Sequence, residues 1–588
     1  METIPTLLAA KVHAALDDDS IQVNVPPTAD GKFGDYQTNI AMQLAKQRKA
    51  NPRALAQEIV DKIDMGDMGP KPEIAGAGFI NFRLDPQWLS SRLSALSADS
   101  RLGCPPVTAR RLVIDFSSPN VAKSMHVGHI RSTILGDSLA RIGRFLGHSV
   151  IADNHIGDWG TQFGMLLVGW KTCLDKATLE REPIGELERV YKTINAQCDP
   201  DKPGYNAEIH TQARQELVKL QAGDAENGSI WKEMIRLSQV QFDAVYQQLD
   251  IHFDHAHGES FYNPWLKGVV ADLMSSGVAR ESQGALCVFS DGVLPPKEDP
   301  FLIQRDGEWV EVPAMVQKAD GGANYTTTDL ATIQYRLREF APDEIIYVTD
   351  GRQQHHFRQF FSIFRRWQPE AAAKVKLSHV WFGSILGEDN KPFKTRSGDT
   401  VKLADLLDEA IERAEKVIGE KNPQLPETER KSAAKAIGLG AIKYADLLPN
   451  RQGDYVFSWD RMLSFHGNTA PYLQYSYVRI QSIFRKATEA GIDTSGDVNL
   501  TEPAELALAR KLNQFGETLP QVLEDHKPNM LATYLFELAS LFHSFFEACP
   551  VLKAEGAVRS TRFTLCKTTA DILRKGLELL GIGVPERM

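Results

Sequence analysis

The sequence predicts an α/β protein. A Rossmann-like parallel-sheet domain with an insertion lies between a small α+β N-terminal domain and an all-α C-terminal domain. Residues 111–116, RLVIDF, form a β-branched run that a turn, an amphipathic helix and a second strand follow. Residues 344–357 read as a second strand–loop–helix unit and residues 377–386 as a further strand, and from about residue 405 the apolar spacing is helical almost to the end. Strand–helix–strand order is the start of a doubly wound sheet.

The N-terminal part reads as a small mixed domain. Ile4, Leu8 and Val12 recur at helical spacing, and Asn51-Pro52 is a typical helix start. The motif GKFGDYQTN lies between these two helices, and the strand-like EIAGAGFINF follows them. A proline pair at 105–106 marks a linker to the sheet domain.

These patterns give domain boundaries. We predict an N-terminal domain over 1–108 and the sheet domain over 109–400, with its insertion at about 170–300. A connecting helical region over 401–455 leads to the helical C-terminal domain over 456–588.

Length and composition narrow the class of protein. A chain of 588 residues is roughly three to five domains. Hydrophobic content of 43% with 24% charged residues excludes wholesale disorder. The net charge of -10 argues against a protein that is basic overall, but not against a nucleic-acid partner, since binding needs only one basic face.

Cysteine usage and apolar runs indicate the compartment. Six cysteines without a CxxC pair support neither a zinc knuckle nor a disulfide scaffold, so we expect a reducing environment. The acidic N-terminus resembles no signal peptide, and no apolar run approaches the ~20 residues that a membrane span needs. We expect a cytoplasmic protein without a membrane partner.

The residues after the first strand carry the strongest chemical signal. A helix is expected to begin after His126, to bury Ile130 and Ile134, and to end at Gly147. His126 and His129 therefore lie at a helix start, where free backbone N–H groups suit a phosphate. Lys123 adds a charge, and Gly128 removes a side chain where a base or ribose could approach the backbone.

The HxGH pattern is also compatible with two different roles. The histidines could simply lie on the surface at a helix start. They could also hold a metal, although helical zinc pairs are spaced i, i+4 and no third ligand is evident. We predict no protein-bound metal.

The chain resembles a known family at several places. HVGH resembles the HIGH motif of class I aminoacyl-tRNA synthetases, and SSPNVAKSMHVGHIRST with NHIGDWGTQFGML resembles arginyl-tRNA synthetases in particular. GKFGDYQTN and EIAGAGFINF are similar to that family's N-terminal domain. LGEDNKPFKTRSGDTVKL is similar to its degenerate second signature, and DYVFSWDRMLSFHGNTAPYLQYSYVRI to the entry of its anticodon-binding domain. The resemblance covers nearly the whole chain.

The resemblance implies an arginine–tRNA ligase. Such an enzyme activates L-arginine with ATP, accompanied by Mg²⁺, to arginyl-adenylate and pyrophosphate, and transfers arginine to the terminal ribose of tRNA(Arg). Activation is expected to need tRNA, and the protein is expected to be a monomer. The insertion is expected to face the acceptor stem.

The resemblance also implies site residues. The catalytic set is Lys123, His126, His129 and Lys394. Within LGEDNKPFKTRSGDTVKL, the segment that matches the second signature, usually KMSKS, is 391–398. Thr395 occupies the place of its second lysine, so Lys123 is expected to supply the missing charge. The ATP-binding stretch is Pro119, Asn120, Val121, Ala122, Lys123, Ser124, Met125, His126, Val127, Gly128 and His129.

The amino-acid pocket must hold a guanidinium, which calls for carboxylates and an aromatic or hydroxyl wall. Tyr325 and Asp329, four residues apart, share one helical face. The resemblance implies an arginine-binding set of Asp115, Asn120, His155, Tyr325, Asp329 and Gln353. Taken singly, the carboxylates could be caps and Tyr325 could be core.

For tRNA, the resemblance and residue types point to Tyr36, Tyr475 and Arg479, because aromatics stack on splayed bases and arginines meet phosphates. The FGDYQTN motif, which contains Tyr36, could contact the tRNA elbow or form a strand–helix corner of the N-terminal domain. Tyrosines at helical spacing are more often core, so most of them are expected to pack inside. Basic residues concentrate in 101–150 and 351–376, which predicts a sided protein whose tRNA binding weakens as salt rises.

Two rival functions remain open from the sequence. One is a small HxGH nucleotidyltransferase, against which the extra N-terminal and helical C-terminal domains argue. The other is a non-catalytic paralogue that binds tRNA or arginine, which is expected to have lost HxGH or Asp329.

Overall fold

A computed structural model describes residues 1–16, 18, 20–28, 31–393 and 401–588. Elements are numbered in chain order. The N-terminal part contains α1 Ile4–Leu16, β1 Tyr36–Thr38, α2 Ile40–Arg48, α3 Pro52–Lys62, β2 Glu73–Ala75, β3 Phe79–Phe82 and α4 Pro86–Ala98.

The central part begins with the predicted strand, helix and strand and continues through a long helical insertion. Its elements are β4 Arg111–Asp115, α5 Val127–Leu146, β5 Ser149–Asp153, α6 Gln162–Thr172, α7 Lys176–Arg181, α8 Pro183–Cys198, α9 Ala207–Gln221, α10 Ala225–Leu249 and α11 Asn263–Ser275. Short strands and the second half of the sheet follow: β6 Arg280–Ser282, β7 Ala285–Val288, β8 Leu302–Arg305, β9 Glu308–Glu311, β10 Ala314–Gln317, α12 Tyr325–Phe340, β11 Glu344–Asp350, α13 Gln354–Trp367, α14 Pro369–Ala372, β12 Lys376–Phe382 and β13 Ile385–Leu386.

The remainder is almost entirely helical. It comprises α15 Leu403–Lys421, α16 Glu427–Leu447, β14 Tyr455–Val456, α17 Trp459–Met462, α18 Ala470–Glu489, α19 Pro503–Asn513, α20 Phe515–Asp525, α21 Asn529–Ala548 and α22 Gly556–Leu579.

The central sheet is parallel with strand order β12-β11-β4-β5. Because β4 lies between its sequence successor β5 and the later β11, the chain reverses its winding direction between β4 and β11. In open parallel sheets, ligands bind outside the carboxyl ends of the strands at such a switch point. The predicted fold class is confirmed.

Several helices end where their local sequence signals predict. Asn51 accepts from the backbone N–H groups of Arg53 and Ala54 and caps α3. Gly147 ends α5 with φ of 104°, in the left-handed region that glycine adopts without strain. Helix α5 buries Ile130 and Ile134, as its spacing predicts.

The described chain divides into two compact units. One unit joins Met1–Val107, Ala414–Tyr444 and Asp460–Met588, and the other joins Thr108–Arg413 and Ala445–Trp459. The N-terminal segment and the C-terminal helices thus belong to one compact unit. In the described part of the chain, no helix combines the length and apolarity that crossing a bilayer requires.

Candidate active site

The loop after β4 carries the first signature at the switch point of the sheet. Three of its non-glycine residues have positive φ: Ser117 at 74°, Ser118 at 47° and Ala122 at 61°. Such angles cost free energy and persist only where the surroundings enforce them, which happens most often at functional sites. The backbone N–H of Ser118 donates to Asn154 Oδ1 at 3.0 Å, one of the bonds that hold this path.

Helices of the insertion also hold the loop. Ser238 on α10 accepts from the backbone N–H of Ala122 at 2.9 Å, and Glu188 on α8 accepts from that of Ser124 at 2.6 Å. The ammonium of Lys123 lies 5.2 Å from the ring centroid of Tyr191, also on α8. The insertion therefore fixes the signature loop, a role the sequence did not reveal.

His126 and His129 form a reciprocal cap at the start of α5. His126 Nδ1 accepts from the backbone N–H of Gly128 at 3.0 Å, and His129 Nδ1 accepts from the backbone N–H of His126 at 3.1 Å. The ring centroids are 3.9 Å apart. Because each Nδ1 is an acceptor, each neutral ring carries its proton on Nε2. The pair therefore presents two N–H donors.

Both histidines are held in the neutral form. Burial lowers the pKa of His129 to about 3, with the neighbouring His126 adding to the effect. Burial also lowers the pKa of His126, and the charges of Arg352 and Lys123 lower it further. Neutral Nε2–H donors keep their protons across the physiological pH range.

Gly128 lies against the ring of the capping histidine. A Cβ at this position would lie 2.8 Å from Cε1 and 2.9 Å from Nδ1 of His126. The missing side chain therefore leaves room for the capping imidazole.

The predicted ATP-binding stretch is partly structural. Asn120, Lys123 and Gly128 are exposed, and the two histidines are half-buried. The other six residues are buried: Pro119, Val121, Ala122, Ser124, Met125 and Val127. These six can contribute backbone groups and shape, but their side chains face the interior.

The chain that follows the second signature is bonded to the first signature. Lys394 lies outside the described residues. Just after it, Val401 accepts from the backbone N–H of Val127 at 3.0 Å, and Leu403 donates to the carbonyl of Met125 at 2.9 Å. The described chain that follows the second signature is therefore bonded directly to the start of α5.

Tyr325 and Asp329 lie together on the first turns of α12, as their spacing predicts. His356 on α13 joins them: its Nε2 lies 2.6 Å from Asp329 Oδ2, and its ring meets Tyr325 edge-on at 4.7 Å. Tyr325 is 58% exposed, so its ring forms an open wall beside the carboxylate. No pattern in the sequence pointed to His356.

Glu259 is a second acidic group of this pocket that no sequence pattern indicated. Burial raises its pKa to about 7, and the nearby charges of Asp329 and Asp158 raise it as well, whereas His155 opposes the shift. Asp158 is occupied, since it accepts from the backbone N–H and hydroxyl of Ser260 at 2.8 and 2.6 Å. Among the described residues, buried His155 Nδ1 has no hydrogen-bond partner.

Asp115 is already paired within the protein. Its Oδ2 lies 2.6 Å from Arg336 Nη2, and the same guanidinium meets Asp153 Oδ2 at 2.8 Å. Arg336 is completely buried on α12, two turns beyond Asp329. Two carboxylates against one guanidinium leave one negative charge beside the pocket. Asp115 therefore acts together with Arg336, a partner that the sequence did not suggest.

The remaining predicted contacts are placed on two loops. Gln353 is exposed in the short 3₁₀ turn Gly351–Gln353 after β11. Asn120 packs on Gly157, where a Cβ would lie 2.4 Å from Asn120 Oδ1. Both loops follow strands of the parallel sheet, at its carboxyl edge.

Three family models match consecutive parts of the chain. Residues 93–459 match "tRNA synthetases class I (R), catalytic domain", residues 473–588 match "DALR anticodon binding domain", and residues 2–84 match "Arginyl tRNA synthetase N terminal domain". The first alone spans more than half of the chain. The chain belongs to the class I arginyl-tRNA synthetase family.

Individual members of this family are similar to the chain over nearly its whole length. The chain is 45% identical to the arginine–tRNA ligase of Chromobacterium violaceum, covering 100% of both chains. It is 46% identical to that of a Synechococcus species, over 96% of this chain and 94% of the relative. The arginyl-tRNA synthetase structure from Plasmodium falciparum superposes with a TM-score of 0.81 at 30% identity, covering both chains fully.

For an arginyl-tRNA synthetase, the placement of Tyr36 is informative. Its side chain is 1% exposed, and its hydroxyl donates to Glu517 at 2.9 Å. The ring is therefore unavailable to nucleic acid, which contradicts its predicted tRNA contact. Phe33 in the same motif is 56% exposed and presents its ring to solvent.

The predicted tRNA contacts of the C-terminal helices are accessible. Tyr475 on α18 is 45% exposed, and the guanidinium of Arg479 lies 4.2 Å from the ring centroid of Phe546 on α21. Tyr477 is buried in the helical core, as expected for most of these tyrosines. Tyr475, Arg479 and Phe546 together form an aromatic and basic surface.

Proposed function

We propose that this chain activates L-arginine with ATP and transfers it to tRNA(Arg). In the first step, an arginine carboxylate oxygen bonds to the α-phosphorus of ATP, and the bond from that phosphorus to the bridging oxygen breaks to release pyrophosphate. In the second step, a hydroxyl of the terminal tRNA ribose attacks the carbonyl carbon of the adenylate, and AMP leaves. Neither step needs an enzyme nucleophile, so positioning and electrostatics supply the rate.

The phosphate side uses neutral donors and nearby cations. Nε2–H of His126 and of His129 donate to phosphate oxygens as negative charge moves onto pyrophosphate. Lys123 supplies positive charge beside them, and Arg352 lies close enough to depress the pKa of His126. Lys394 is proposed to add a further cation. Mg²⁺ enters with ATP and neutralises phosphate charge.

In the proposed arginine pocket, carboxylates at separate positions bind the planar guanidinium and the α-ammonium of the substrate. Asp329 and Glu259 are proposed to hold the guanidinium, with Tyr325 as the wall and His356 orienting Asp329. Asp115, which shares Arg336 with Asp153, is proposed to attract the α-ammonium. Asn120, His155 and Gln353 complete the polar lining of the same sheet edge.

One observation supports this function above the rivals: an intact phosphate-donor pair and an intact acidic pocket share the carboxyl edge of one sheet. A regulator without catalysis has no need for both. A small nucleotidyltransferase has no need for the helical surface of Tyr475 and Arg479. We propose that this surface, together with Phe33, contacts tRNA, and that the enzyme acts in the cytoplasm as a monomer.

The test is aminoacylation of unfractionated tRNA with each of the twenty amino acids, ATP and Mg²⁺. We expect charging with arginine only, and only of arginine-accepting tRNA. Charging with another amino acid and not with arginine would refute the proposal.

The requirement for tRNA in the first step is tested separately by ATP–pyrophosphate exchange. We expect arginine-dependent exchange only when tRNA is present. Exchange at the full rate without tRNA would remove this part of the proposal and leave the ligase activity standing.

A further inference from the structure

Arg131 lies two residues beyond His129 on α5, and its side chain packs inside the protein. Its side chain is 1% exposed. Its Nη1 donates to the carbonyl of Gly383 at 2.7 Å and to that of Gly453 at 3.1 Å. Its Nε lies 3.0 Å from Asp446 Oδ1. One guanidinium thus joins α5 to two segments that are far from it in sequence, one at Gly383 and one over 446–453.

The surroundings hold this guanidinium in a single orientation. Its centre lies 5.6 Å from the ring centroid of Phe382 and 5.2 Å from that of Tyr455. Asp446 is fully buried; burial raises its pKa, whereas Arg131 and a hydrogen bond from Tyr455 lower it. A buried charge without its partner is costly, so each group requires the other.

The positions of these contacts define what Arg131 controls. Gly383 follows β12 and begins the stretch that leads into the second signature. On the far side of that signature, Val401 and Leu403 bond to the backbone of Val127 and Met125. The chain is therefore attached to α5 both before and after the second signature, and Arg131 makes the attachment before it.

A side chain of another type could not make the same set of bonds. A guanidinium offers five N–H donors in a fixed plane, so it can serve a carboxylate and two carbonyls together. A lysine ammonium keeps the charge and has three donors without this planar arrangement. The choice of arginine here is explained by the joining of segments and not by charge alone.

We infer that Arg131 is a positioning residue, which holds the chain that leads into the second signature in register with His126 and His129 for the phosphates of ATP. This inference rests on the proposed ligase function. It predicts a defect in the use of ATP that spares the affinity for arginine, since Arg131 contacts no group of the arginine pocket.

The test compares Arg131→Lys with Arg141→Lys. Arg141 lies on the same helix and pairs with Asp137 at 2.7 Å, away from the proposed site. Steady-state aminoacylation is measured well below the melting temperature of each variant. For Arg131→Lys we expect kcat/KM for ATP to fall at least tenfold, with KM for arginine within twofold of wild type. Arg141→Lys should change neither constant more than twofold.

A milder variant keeps the inference testable if Arg131→Lys does not fold. Tyr455→Phe retains the ring that packs on Arg131 and removes only the hydroxyl, which lowers the pKa of Asp446. We expect kcat/KM for ATP to fall two- to fivefold at unchanged KM for arginine. A lowered melting temperature with unchanged kcat/KM for ATP, in whichever variant folds, would make the role purely structural and overturn the inference. A rise in KM for arginine as large as the rise in KM for ATP would overturn it too. Failure of wild type to charge arginine would instead refute the ligase function.

Discussion

At the scale of single residues, the two histidines at the start of α5 combine two tasks. Each Nδ1 accepts a backbone N–H that the helix start would otherwise leave without an intrahelical partner. That same bond fixes the tautomer that carries its proton on Nε2, and we propose that this N–H donates to the phosphates of ATP. The cap is therefore also the means by which the donors are oriented.

Replacing His126 should affect turnover much more than stability. Loss of one oriented donor to developing charge costs about 2.7–4 kcal/mol of barrier in the activation step, so His126→Ala should lower kcat for aminoacylation about 10²–10³-fold. Loss of the cap should cost only about 1 kcal/mol of unfolding free energy. His148→Ala is the control, because His148 Nδ1 also accepts a backbone N–H, from Arg110 at 3.1 Å, away from the proposed site. Turnover of His126→Ala at the wild-type rate would remove the phosphate assignment.

The pocket should bind arginine more tightly as pH rises through 7. Glu259 has a pKa of about 7, so near pH 6 most molecules carry it protonated and near pH 8 ionised. Because the ionised carboxylate attracts a guanidinium, KM for arginine should fall up to about tenfold from pH 6 to pH 8. In Glu259→Gln the KM should be high and nearly constant over this range. A wild-type pH dependence retained in Glu259→Gln would assign it to another group.

The sequence predicted those site residues that form local patterns. His126 and His129 follow a strand at the helix start, and Tyr325 and Asp329 share a helical face. Glu259, His356 and Arg336 could not be found in this way, because each becomes part of the site only when distant segments fold together. Arg336 alone spans 183 residues of sequence to reach Asp153.

At the scale of elements, apolar spacing and capping residues predicted where strands and helices lie. They did not predict the role of the N-terminal motif. GKFGDYQTN was open to two interpretations, a tRNA contact or a corner of the fold. In the structure, part of the motif holds the fold and part is exposed. Asp35 pairs with Arg510 on α19 and Tyr36 with Glu517 on α20, whereas Phe33 is exposed. Burial of Tyr36 depends on a partner 481 residues away in sequence, which no local pattern encodes.

Two substitutions in this motif should separate binding from stability. Phe33→Ala should raise KM for tRNA at least fivefold with an unchanged melting temperature, because base–aromatic stacking contributes about 1–3 kcal/mol. Tyr36→Phe should leave KM for tRNA within twofold and lower the melting temperature, because half-buried Glu517 loses its hydroxyl donor. The reverse pattern in titrations of tRNA and thermal unfolding would contradict this division.

At the scale of the whole molecule, fewer basic residues are available to nucleic acid than a count along the sequence indicates. Within 101–150, Arg131 is buried against Asp446, Arg141 pairs with Asp137, and Arg144 with Asp254. A count of charged residues in a segment of sequence cannot distinguish an arginine that faces nucleic acid from one that is paired within the fold. The predicted sidedness therefore rests on fewer cations than the sequence suggested.

Salt dependence measures how many cations meet tRNA phosphates. Each phosphate contact should contribute about -0.7 to -0.9 to the slope of log affinity against log salt. Equilibrium binding of tRNA should therefore weaken steadily with rising KCl. An Arg479→Gln variant should show a shallower slope by about one contact. Affinity that is independent of salt would exclude phosphate contacts as a main source of binding.

We propose that carboxylates at the carboxyl edge of the sheet select the guanidinium of arginine and thereby determine the choice of amino acid. The decisive measurement is kcat/KM for charging with arginine and with citrulline, which replaces the guanidinium by a neutral urea group. Buried polar groups left unmatched reject an analogue by about 10⁴–10⁵, so we predict a ratio of that size for wild type and a much smaller one for Asp329→Asn. Charging of citrulline within about 100-fold of arginine, or a ratio unchanged in Asp329→Asn, would show that these carboxylates do not select the substrate.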